Sequence, residues 1–519
     1  MRPVAIAAAA AVAVAAVAVS NLGGGSGSVA ADTPLLQLVG TYTTGLASGD
    51  GATTSGEVAA MIGDRLYVSN ATDTSVDIVD VSDPAHPNRL KRIDLSAYGD
   101  EVTSVAAGAG LVAAAIDRGA EPGQLVLMSP GGSNQRAVDV GAGPDMISFT
   151  PDGRRILVAN EGEPTGYGPG HVDPPGSVSV VELQPRNRLT VHTIGFDDFD
   201  AGQPRAGELD PLVRVYGSPK PSLDLEPEYL TVSDDGATAW VSLQENNAIA
   251  VVDLARLDVT RIDPLGWKDH SLAGNGLDGS DQDGGIIIQP HPNVRGMYQP
   301  DALATFLIDG HPYVLSANEG DAREYDGLVE AARLRSVTTD ASFGPARANN
   351  RIGRLNVTTS PPAGVTPQST VYSFGARSFS VWDGTDGTLT YDSGDLLERT
   401  VADVLPSRFN ANNTANGFDN RSDDKGPEPE AAAVAVVDGT TYGFIGLERV
   451  GGVVVIDLDQ PASPAIVQYV NNRTFEGNAI GPDSGPEVID IVPAIDSPTG
   501  RTLVVVANEI TGTVSIYTT

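Results

Sequence analysis

The sequence predicts an all-β protein, and more narrowly a seven-bladed β-propeller closed by its N-terminal strand. The 519 residues include 59 Gly and 36 Pro, with 41% hydrophobic and only 19% charged residues, which is typical of a β protein rich in turns. Short apolar strands recur in blocks of one kind along the chain. The last block is one strand short, and an unpartnered strand precedes the first block.

Each block begins with an acid that opens an apolar strand. A second strand then ends in Asn or Glu, and a third often reads like VVDL, as in residues 251–254. Turns such as PDGRR at 151–155 join the strands, so that neighbours run antiparallel. Seven such blocks predict seven blades. The opening acids are Glu57, Glu101, Asp145, Glu228, Asp301, Glu430 and Glu487.

The two ends of the chain are expected to share one blade. The segment LLQLVGTYTT at 35–44 has no partner, and the block that opens at Glu487 has three strands. Pairing these ends completes the blade and removes two exposed edges. A sandwich of two sheets is the alternative, because apolar alternation occurs in both folds. The number of blocks and the pairing of the ends favour the propeller.

We expect residues 31–519 to form a single domain with three long inserts. The inserts cover about 184–222, 255–299 and 321–425, and they are rich in Gly, Asp, Asn and Pro. Segments of this length exceed ordinary connections and are more typical of functional loops.

Residues 1–30 read as a secretory signal peptide. Arg2 provides a positive start, residues 4–19 are apolar, and the small residues at 28–30 suit cleavage. A retained membrane anchor is the alternative, but the apolar run is shorter than the roughly 20 residues of a span. The sequence therefore predicts a secreted, extracellular protein with no membrane span after processing.

The net charge, the absence of cysteine and the absence of several motifs count against several classes of function. The chain has 67 Asp+Glu against 32 Lys+Arg, a formal charge of -35, which argues against binding to nucleic acid. It has no cysteine, which excludes disulfides, thiolate metal sites and a cysteine nucleophile. It also lacks the G-x-S-x-G, P-loop and H-E-x-x-H motifs, so the enzymes that use them have no support.

The repeated acids indicate a site for a hard cation. In a blade the first strand starts, and the second ends, on the same face of the ring, so these acids converge at the channel mouth. Clustered carboxylates need cations or donors, which favours Ca²⁺ first and other divalent metals second. Capping of separate turns is the alternative for each acid. The expected metal ligands are Glu161, Glu228, Asp301, Glu319, Asp321 and Glu487 on this face, with Asp278, Asp281, Asp283, Asp423 and Asp424 in the inserts.

Four long segments together resemble the bacterial choice-of-anchor I family. They are LEPEYLTVSDDGATAWVSLQENNAIAVVDL at 225–254, GMYQPDALATFLIDGHPYVLSANEGDAREY at 296–325, RSFSVWDGTDGTLTYDSGDLLE at 377–398, and GPEPEAAAVAVVDGTTYGFIGLERVGGVVVIDL at 426–458. That family is related to mesenchyme-specific cell-surface glycoproteins of biomineralising animals, and some of its members carry alkaline phosphatase labels.

The resemblance implies a calcium-linked propeller that could hydrolyse phosphate esters. On this hypothesis Glu430 and Glu448 belong to the catalytic site, while Arg323, Lys425 and Arg449 clamp phosphate oxygens. The alternative for these cations is a salt bridge that holds neighbouring acids. The second function that stays open is a non-catalytic propeller that binds calcium, mineral or a cell-surface ligand. We expect a monomer in either case.

Overall fold

The computed structural model describes residues 35–48, 51, 53–216, 220–362, 368–475 and 480–519. The predicted signal peptide lies outside these residues. Most strands belong to four-stranded antiparallel sheets, of which there are seven in the part of the chain that the structure describes. We number them sheets 1 to 7 by their first strands.

Sheets 1 to 3 are each formed by four consecutive strands. Sheet 1 contains Ala59–Ile62, Arg65–Asn70, Ser75–Asp80 and Asn88–Asp94. Sheet 2 contains Glu101–Gly108, Leu111–Asp117, Gln124–Met128 and Arg136–Asp139. Sheet 3 contains Pro144–Phe149, Arg155–Asn160, Ser177–Gln184 and Arg188–Gly195.

Sheets 4 to 6 follow the same order, with one long interruption in sheet 5. Sheet 4 contains Leu230–Val232, Thr238–Leu243, Ala248–Asp253 and Asp258–Pro264. Sheet 5 contains Leu303–Ile308, His311–Asn318, Ser378–Asp383 and Leu389–Asp392. Sheet 6 contains Pro429–Val437, Thr440–Leu447, Val453–Asp457 and Ala465–Val470.

Sheet 7 combines strands from both ends of the chain. It contains Pro486–Val492, Leu503–Asn508 and Thr513–Thr518, and its fourth strand is Gln37–Thr43. This fourth strand pairs antiparallel with Thr513–Thr518, from Gln37 opposite Thr518 to Thr43 opposite Thr513. The last strand of the chain therefore has a partner on both sides.

The sheets pack face to face around their first strands. The first strand of each sheet contacts that of the next, and the first strand of sheet 7 contacts that of sheet 1. An apolar cluster fills each of these interfaces. Inner strands are consequently covered on both faces: Leu503–Asn508 is buried along its whole length, whereas Asn88–Asp94 is mostly exposed. The all-β class and the β-propeller architecture are confirmed.

The inserts build a smaller, separate layer. A five-stranded sheet contains Trp267–Asp269, Val294–Met297, Val371–Ser373, Asn356–Thr358 and Ala331–Arg333, and it has its own apolar cluster around Leu277 and Phe343. A short hairpin joins Glu324–Tyr325 to Leu328–Val329.

Helical segments are few and short. The α-helix Leu396–Val404 packs Leu397 and Val401 into the interface between sheets 5 and 6. No described helix combines the length and the apolar character needed to cross a membrane. The 3₁₀ turns are Ala71–Asp73, Pro185–Asn187, Asp197–Phe199, Pro221–Leu223, Leu334–Ser336, Ala341–Arg347 and Pro406–Arg408.

The predicted bounds of all three inserts include strands that belong to the four-stranded sheets. Residues 188–195 and 258–264 are the outer strands of sheets 3 and 4. Residues 378–383 and 389–392 complete sheet 5. The three outer strands escaped notice because they are partly exposed and do not show a continuous apolar run. Ser378–Asp383 is buried, but the insert separates it in sequence from its partner His311–Asn318.

Candidate cation-binding site

The opening acids of five sheets meet in one cavity of about 540 Å³ on the axis of the first strands. We call it the acidic cavity. Two cations and several amides share its lining with the carboxylates. The polar residues that line it are Asp145, Glu161, Glu228, Gln244, Asp301, Glu319, Asp321, Asn412, Asn413, Thr414, Lys425, Glu430, Glu448, Arg449, Glu487 and Glu509.

The local backbone explains how these acids turn inward. In sheets 3, 6 and 7 the strand pairing shifts its register around Asp145, Glu430 and Glu487. Such bulges re-aim a side chain and are frequent beside functional sites. In sheets 3 to 7, whose opening acids line the acidic cavity, a proline directly precedes the acid, at positions 144, 227, 300, 429 and 486.

The other two opening acids line a different cavity. Glu57 and Glu101, which follow Gly56 and Asp100 rather than proline, line a second cavity of about 250 Å³. Asp145 and Asp301 line both cavities, so the two adjoin. The proline before the acid is a sequence signal that could have separated these two groups.

The asparagines at the strand ends, Asn160 and Asn318, do not line the cavity but join neighbouring strands within their own sheets. Asn160 is fully buried, and its Nδ2 donates to Ser179 Oγ at 3.1 Å in the next strand. Asn318 donates to Ser380 Oγ at 2.8 Å in the same way. The residues that follow them, Glu161 and Glu319, are the ones that reach the cavity.

Three carboxylates cluster on one side of the acidic cavity. Oxygens of Asp301, Glu319 and Glu430 lie within 4.8 Å of one another. Burial and the neighbouring Glu448 and Glu487 raise the pKa of Glu430 well above its usual value. The pKa of Asp301 is also raised well above its usual value, first by burial and then by the nearby carboxylate of Glu319.

The remaining acids on this side behave alike. Burial, together with Glu163 and Glu57, raises the pKa of Asp145 to about 7. Burial and other carboxylates also raise the pKa values of three further acids that line the cavity, which are Glu161, Glu228 and Glu487. A negative charge on any of these side chains is therefore costly without a bound cation.

Glu430 shows this lack of compensation most directly. Its side chain is only 7% exposed, and its Oε2 has no hydrogen-bond partner among the described residues. Glu228 Oε2, in the same cavity, is buried and unpartnered too. Buried polar oxygens normally have a partner, so two orphans in one cavity indicate a missing cation or donor. A cluster of carboxylate oxygens fits Ca²⁺.

A second group of carboxylates, Glu319, Glu428 and Glu448, shares Glu319 with the first and is balanced by cations. Glu428 is fully buried, Arg449 Nε lies 2.9 Å and Lys425 Nζ 3.1 Å from its Oε2, and Arg421 Nε donates to its Oε1 at 2.8 Å. Although burial alone would raise the pKa of Glu428, these cations hold it well below its usual value. Lys425 also pairs with Glu319, and Arg449 Nη1 lies 3.0 Å from Glu448 Oε1.

Of the predicted catalytic residues, Glu430, Glu448, Lys425 and Arg449 line the acidic cavity. Arg323 does not. It is fully buried, its Nη1 lies 2.6 Å from Glu226 Oε1, and its Nη2 donates to the carbonyl oxygen of Asp224 at 2.8 Å. The sequence placed Arg323 in the phosphate site on the strength of its motif alone. In the structure it pairs instead with Glu226 and Asp224, which do not line the cavity.

All the predicted metal ligands of the propeller face line the cavity, and the insert acids divide. Asp278 and Asp283 form a separate group with Asp419. Asp281 pairs with Arg354 at 2.6 Å and Asp424 with Arg421 at 2.9 Å. Asp423 likewise lies 2.9 Å from Arg333. Aspartates already paired with arginine do not join the cluster, and their dense spacing in sequence did not reveal this.

The sequence did not point to Gln244, Asn412 and Asn413. Gln244 Nε2 donates to Glu319 Oε2 at 3.0 Å, and Asn413 Nδ2 donates to Glu448 Oε1 at 2.7 Å. The asparagines belong to an Asn-rich stretch at 410–420, which was the only available signal.

Curated relatives match parts of the chain. Gigasin-3a of Magallana gigas is 30% identical over 200 residues, which are 36% of this chain and 67% of that protein. The mesenchyme-specific cell surface glycoprotein of Strongylocentrotus purpuratus is 28% identical over 346 residues, 56% of this chain and 43% of the glycoprotein. The chain thus spans less than half the length of the second relative.

Solved structures align along nearly the whole chain at low identity. Hydrazine synthase of Kuenenia stuttgartiensis is 13% identical with a TM-score of 0.45, covering 92% of this chain and 97% of that one. The β-propeller domain of Cps50 (Swd1) from Myceliophteria thermophila is 9% identical with a TM-score of 0.44, covering 92% and 99%.

The family model is more decisive than these separate matches. The model of the choice-of-anchor I domain matches residues 59–461, which run from the first strand of sheet 1 to the third strand of sheet 6 and include most of the cavity lining. The chain belongs to the choice-of-anchor I family.

Proposed function

We propose that the chain is an extracellular, seven-bladed β-propeller that binds Ca²⁺ in the acidic cavity. The observation that carries this function is the trio of Asp301, Glu319 and Glu430, in which Glu430 Oε2 is buried without a partner. Carboxylate oxygens at this spacing suit a cation that accepts six to eight oxygen ligands. The name of the sea-urchin relative, a cell surface glycoprotein, supports an extracellular location.

In this proposal the seven sheets are the blades of one closed ring. Apolar clusters between every successive pair of sheets, and between sheets 7 and 1, support it. The ring matters for function because it brings acids that are far apart in sequence into one cavity.

Calorimetric titration of chelator-treated protein with CaCl₂ tests the cation site. We expect wild-type protein to bind Ca²⁺ and Glu430→Gln to bind it about tenfold or more weakly, because one ligand charge is lost (about 1.4 kcal/mol per tenfold). The exposed Glu121→Gln is the control and keeps wild-type affinity. Wild-type protein that neither binds Ca²⁺ nor melts at a higher temperature with it contradicts the proposal.

Hydrolysis of phosphate esters is the second candidate function. It is favoured by Lys425 and Arg449, which line the same cavity as the uncompensated acids. A bound Ca²⁺ would polarise a phosphoryl oxygen. The two side chains would meet the other phosphate oxygens, and the planar guanidinium of Arg449 could contact two of them.

A generic aryl phosphate, assayed with Ca²⁺ and with chelator, tests this second function. We expect Arg449→Lys to raise KM while Ca²⁺ affinity changes little, because Lys keeps the charge but loses the planar fork. Wild-type protein that binds Ca²⁺ yet releases no phosphate leaves a non-catalytic propeller that binds calcium, mineral or a cell-surface ligand.

A further inference from the structure

A second group of acids lies in the inserts, outside the acidic cavity. Carboxylate oxygens of Asp278, Asp283 and Asp419 all lie within 4.8 Å of one another. Asp278 is fully buried and Asp419 is 2% exposed, although they come from segments about 140 residues apart. The group is therefore formed where two inserts meet, and it is not part of a single surface loop.

Arg377 contacts this group only through the backbone, where its Nη1 donates to the carbonyl oxygen of Asp278 at 2.6 Å. Arg377 Nη1 lies 2.8 Å from Glu398 Oε1 on the α-helix, and its Nη2 donates to the carbonyl oxygens of Ser422 and Asp424. The side chains that act electrostatically on Asp419 are Asp278, Asp283 and Glu398, all of them acids. Asp278 Oδ2 accepts from the backbone N–H of Ile287 at 2.6 Å, but none of the three aspartates forms an ion pair with a cationic side chain in the described part of the chain.

Asn410 provides an independent observation at this group. Its side chain is fully buried, and its Oδ1 has no hydrogen-bond partner within the described part of the chain. Its Nδ2 donates to Ser422 Oγ at 2.8 Å, and Ser422 in turn donates to Asp419. Asn410 Nδ2 also donates to Glu398 Oε1 at 2.9 Å. The unpartnered amide oxygen thus belongs to a residue that Ser422 links to Asp419, and with the three carboxylates it makes a donor set suited to a hard cation.

From this arrangement we infer that the inserts bind a second Ca²⁺ through Asp278, Asp283 and Asp419, with the amide oxygen of Asn410. This site is separate from the acidic cavity, and it does not depend on whether the cavity binds a metal. Its ligands come from residues 278–283 and 410–419, so one ion links the two inserts.

The site would also control one wall of the acidic cavity. Asn410 and Asp419 flank Asn412, Asn413 and Thr414, which line that cavity. Asn413 donates to Glu448, and its carbonyl accepts from Ser484 Oγ at 2.7 Å. An ion that holds both ends of this segment keeps the wall in place.

Hydrogen–deuterium exchange of peptides covering 409–422, with Ca²⁺ and with chelator, tests the inference on the full mature chain. We expect Ca²⁺ at about 100 times its Kd to slow exchange there about 100-fold, because the ion binds the closed segment preferentially. Asp419→Asn removes this protection. Asp281→Asn keeps it, since Asp281 lies in the same insert but pairs with Arg354.

Two further variants make the outcome decisive. Asp283→Asn, at a half-buried position, also removes the protection and replaces Asp419→Asn if that variant does not fold. Glu430→Gln separates the two sites, since it weakens Ca²⁺ binding in the acidic cavity, which residues 412–414 also line, and leaves the three aspartates intact; we expect it to keep the protection. Three results overturn the inference: wild-type protein that Ca²⁺ does not protect at 409–422, protection that survives both aspartate changes, and protection that Glu430→Gln abolishes.

Discussion

At the scale of single residues, two glutamates of one strand entrance have opposite environments. Glu428 and Glu430 are both buried, and only Pro429 separates them. Glu428 meets Lys425, Arg421 and Arg449, whereas the pKa of Glu430 is raised by burial and by carboxylates. The sequence predicted a role for Glu430 but did not show how it differs from Glu428, because the cations that compensate Glu428 come close to it only in the fold.

The same substitution at these two positions should therefore have opposite effects on stability. In chelator at pH 8, Glu428→Gln should lower the free energy of unfolding by about 3 to 5 kcal/mol, because it leaves buried cations unpaired. Glu430→Gln should raise it, since folding no longer holds a carboxylate whose raised pKa costs about 1.4 kcal/mol per unit. Urea unfolding curves of both variants measure the two changes. Equal destabilisation by both would mean that Glu430 has a partner in solution.

At the scale of elements, sequence patterns located strands better than inserts. The seven block openings lie at or within two residues of the first strands of the seven sheets. Inner strands are covered on both faces, so their apolar runs are continuous and easy to recognise. Outer strands such as Leu389–Asp392 are partly exposed, and the five-stranded insert sheet pairs strands far apart in sequence, including one parallel pair. Neither leaves a clear local pattern.

The N-terminal strand gives the test that belongs to this scale. A chain shortened to begin at residue 45 loses Gln37–Thr43 and exposes the edge of Thr513–Thr518. It also loses the hydrogen bond from Tyr42 Oη to Asp77 Oδ2, at 2.6 Å, which links sheet 7 to sheet 1. We expect a lower melting temperature and a tendency to aggregate, because an exposed inner strand edge is a template for pairing.

Thermal melting and light scattering, against a chain that begins at residue 31, measure both effects. Addition of a synthetic peptide with the sequence of residues 35–44 should restore part of the lost stability. A shortened chain that melts at the same temperature and stays monomeric would show that the pairing of the two ends contributes little.

At the scale of the whole molecule, the packing of the sheets around their first strands turns a repeated local pattern into a concentrated charge. An acid at each strand start is unremarkable in one sheet, but five of them line a single cavity. This convergence followed from the predicted propeller, so most cavity acids could be named from sequence. The ion pairs of Arg323, Asp281 and Asp423 could not, because each pairs with residues distant in sequence.

The concentrated charge should make stability depend on pH in a direction set by the raised pKa values. Burial and carboxylate neighbours raise the pKa of Asp145 to about 7 and that of Glu509 to about 8. Between the unfolded and folded pKa values of such a group, the folded chain binds more protons than the unfolded chain. The free energy of unfolding therefore falls as pH rises through that range.

In chelator we expect the melting temperature to fall as pH rises from about 5 to about 8, with the decline flattening as the folded groups of lower pKa finish titrating. Excess Ca²⁺ should remove most of this decline, because a bound cation stabilises the ionised carboxylates of the folded state. Scanning calorimetry across this range, with Ca²⁺ and with chelator, measures the difference. Mg²⁺ serves as the comparison ion, and it should restore less stability, because it demands near-ideal octahedral geometry and loses its water ligands reluctantly. A melting temperature in chelator that is constant across this range would contradict the uncompensated cavity, since it would mean that its acids titrate alike in the folded and unfolded chain.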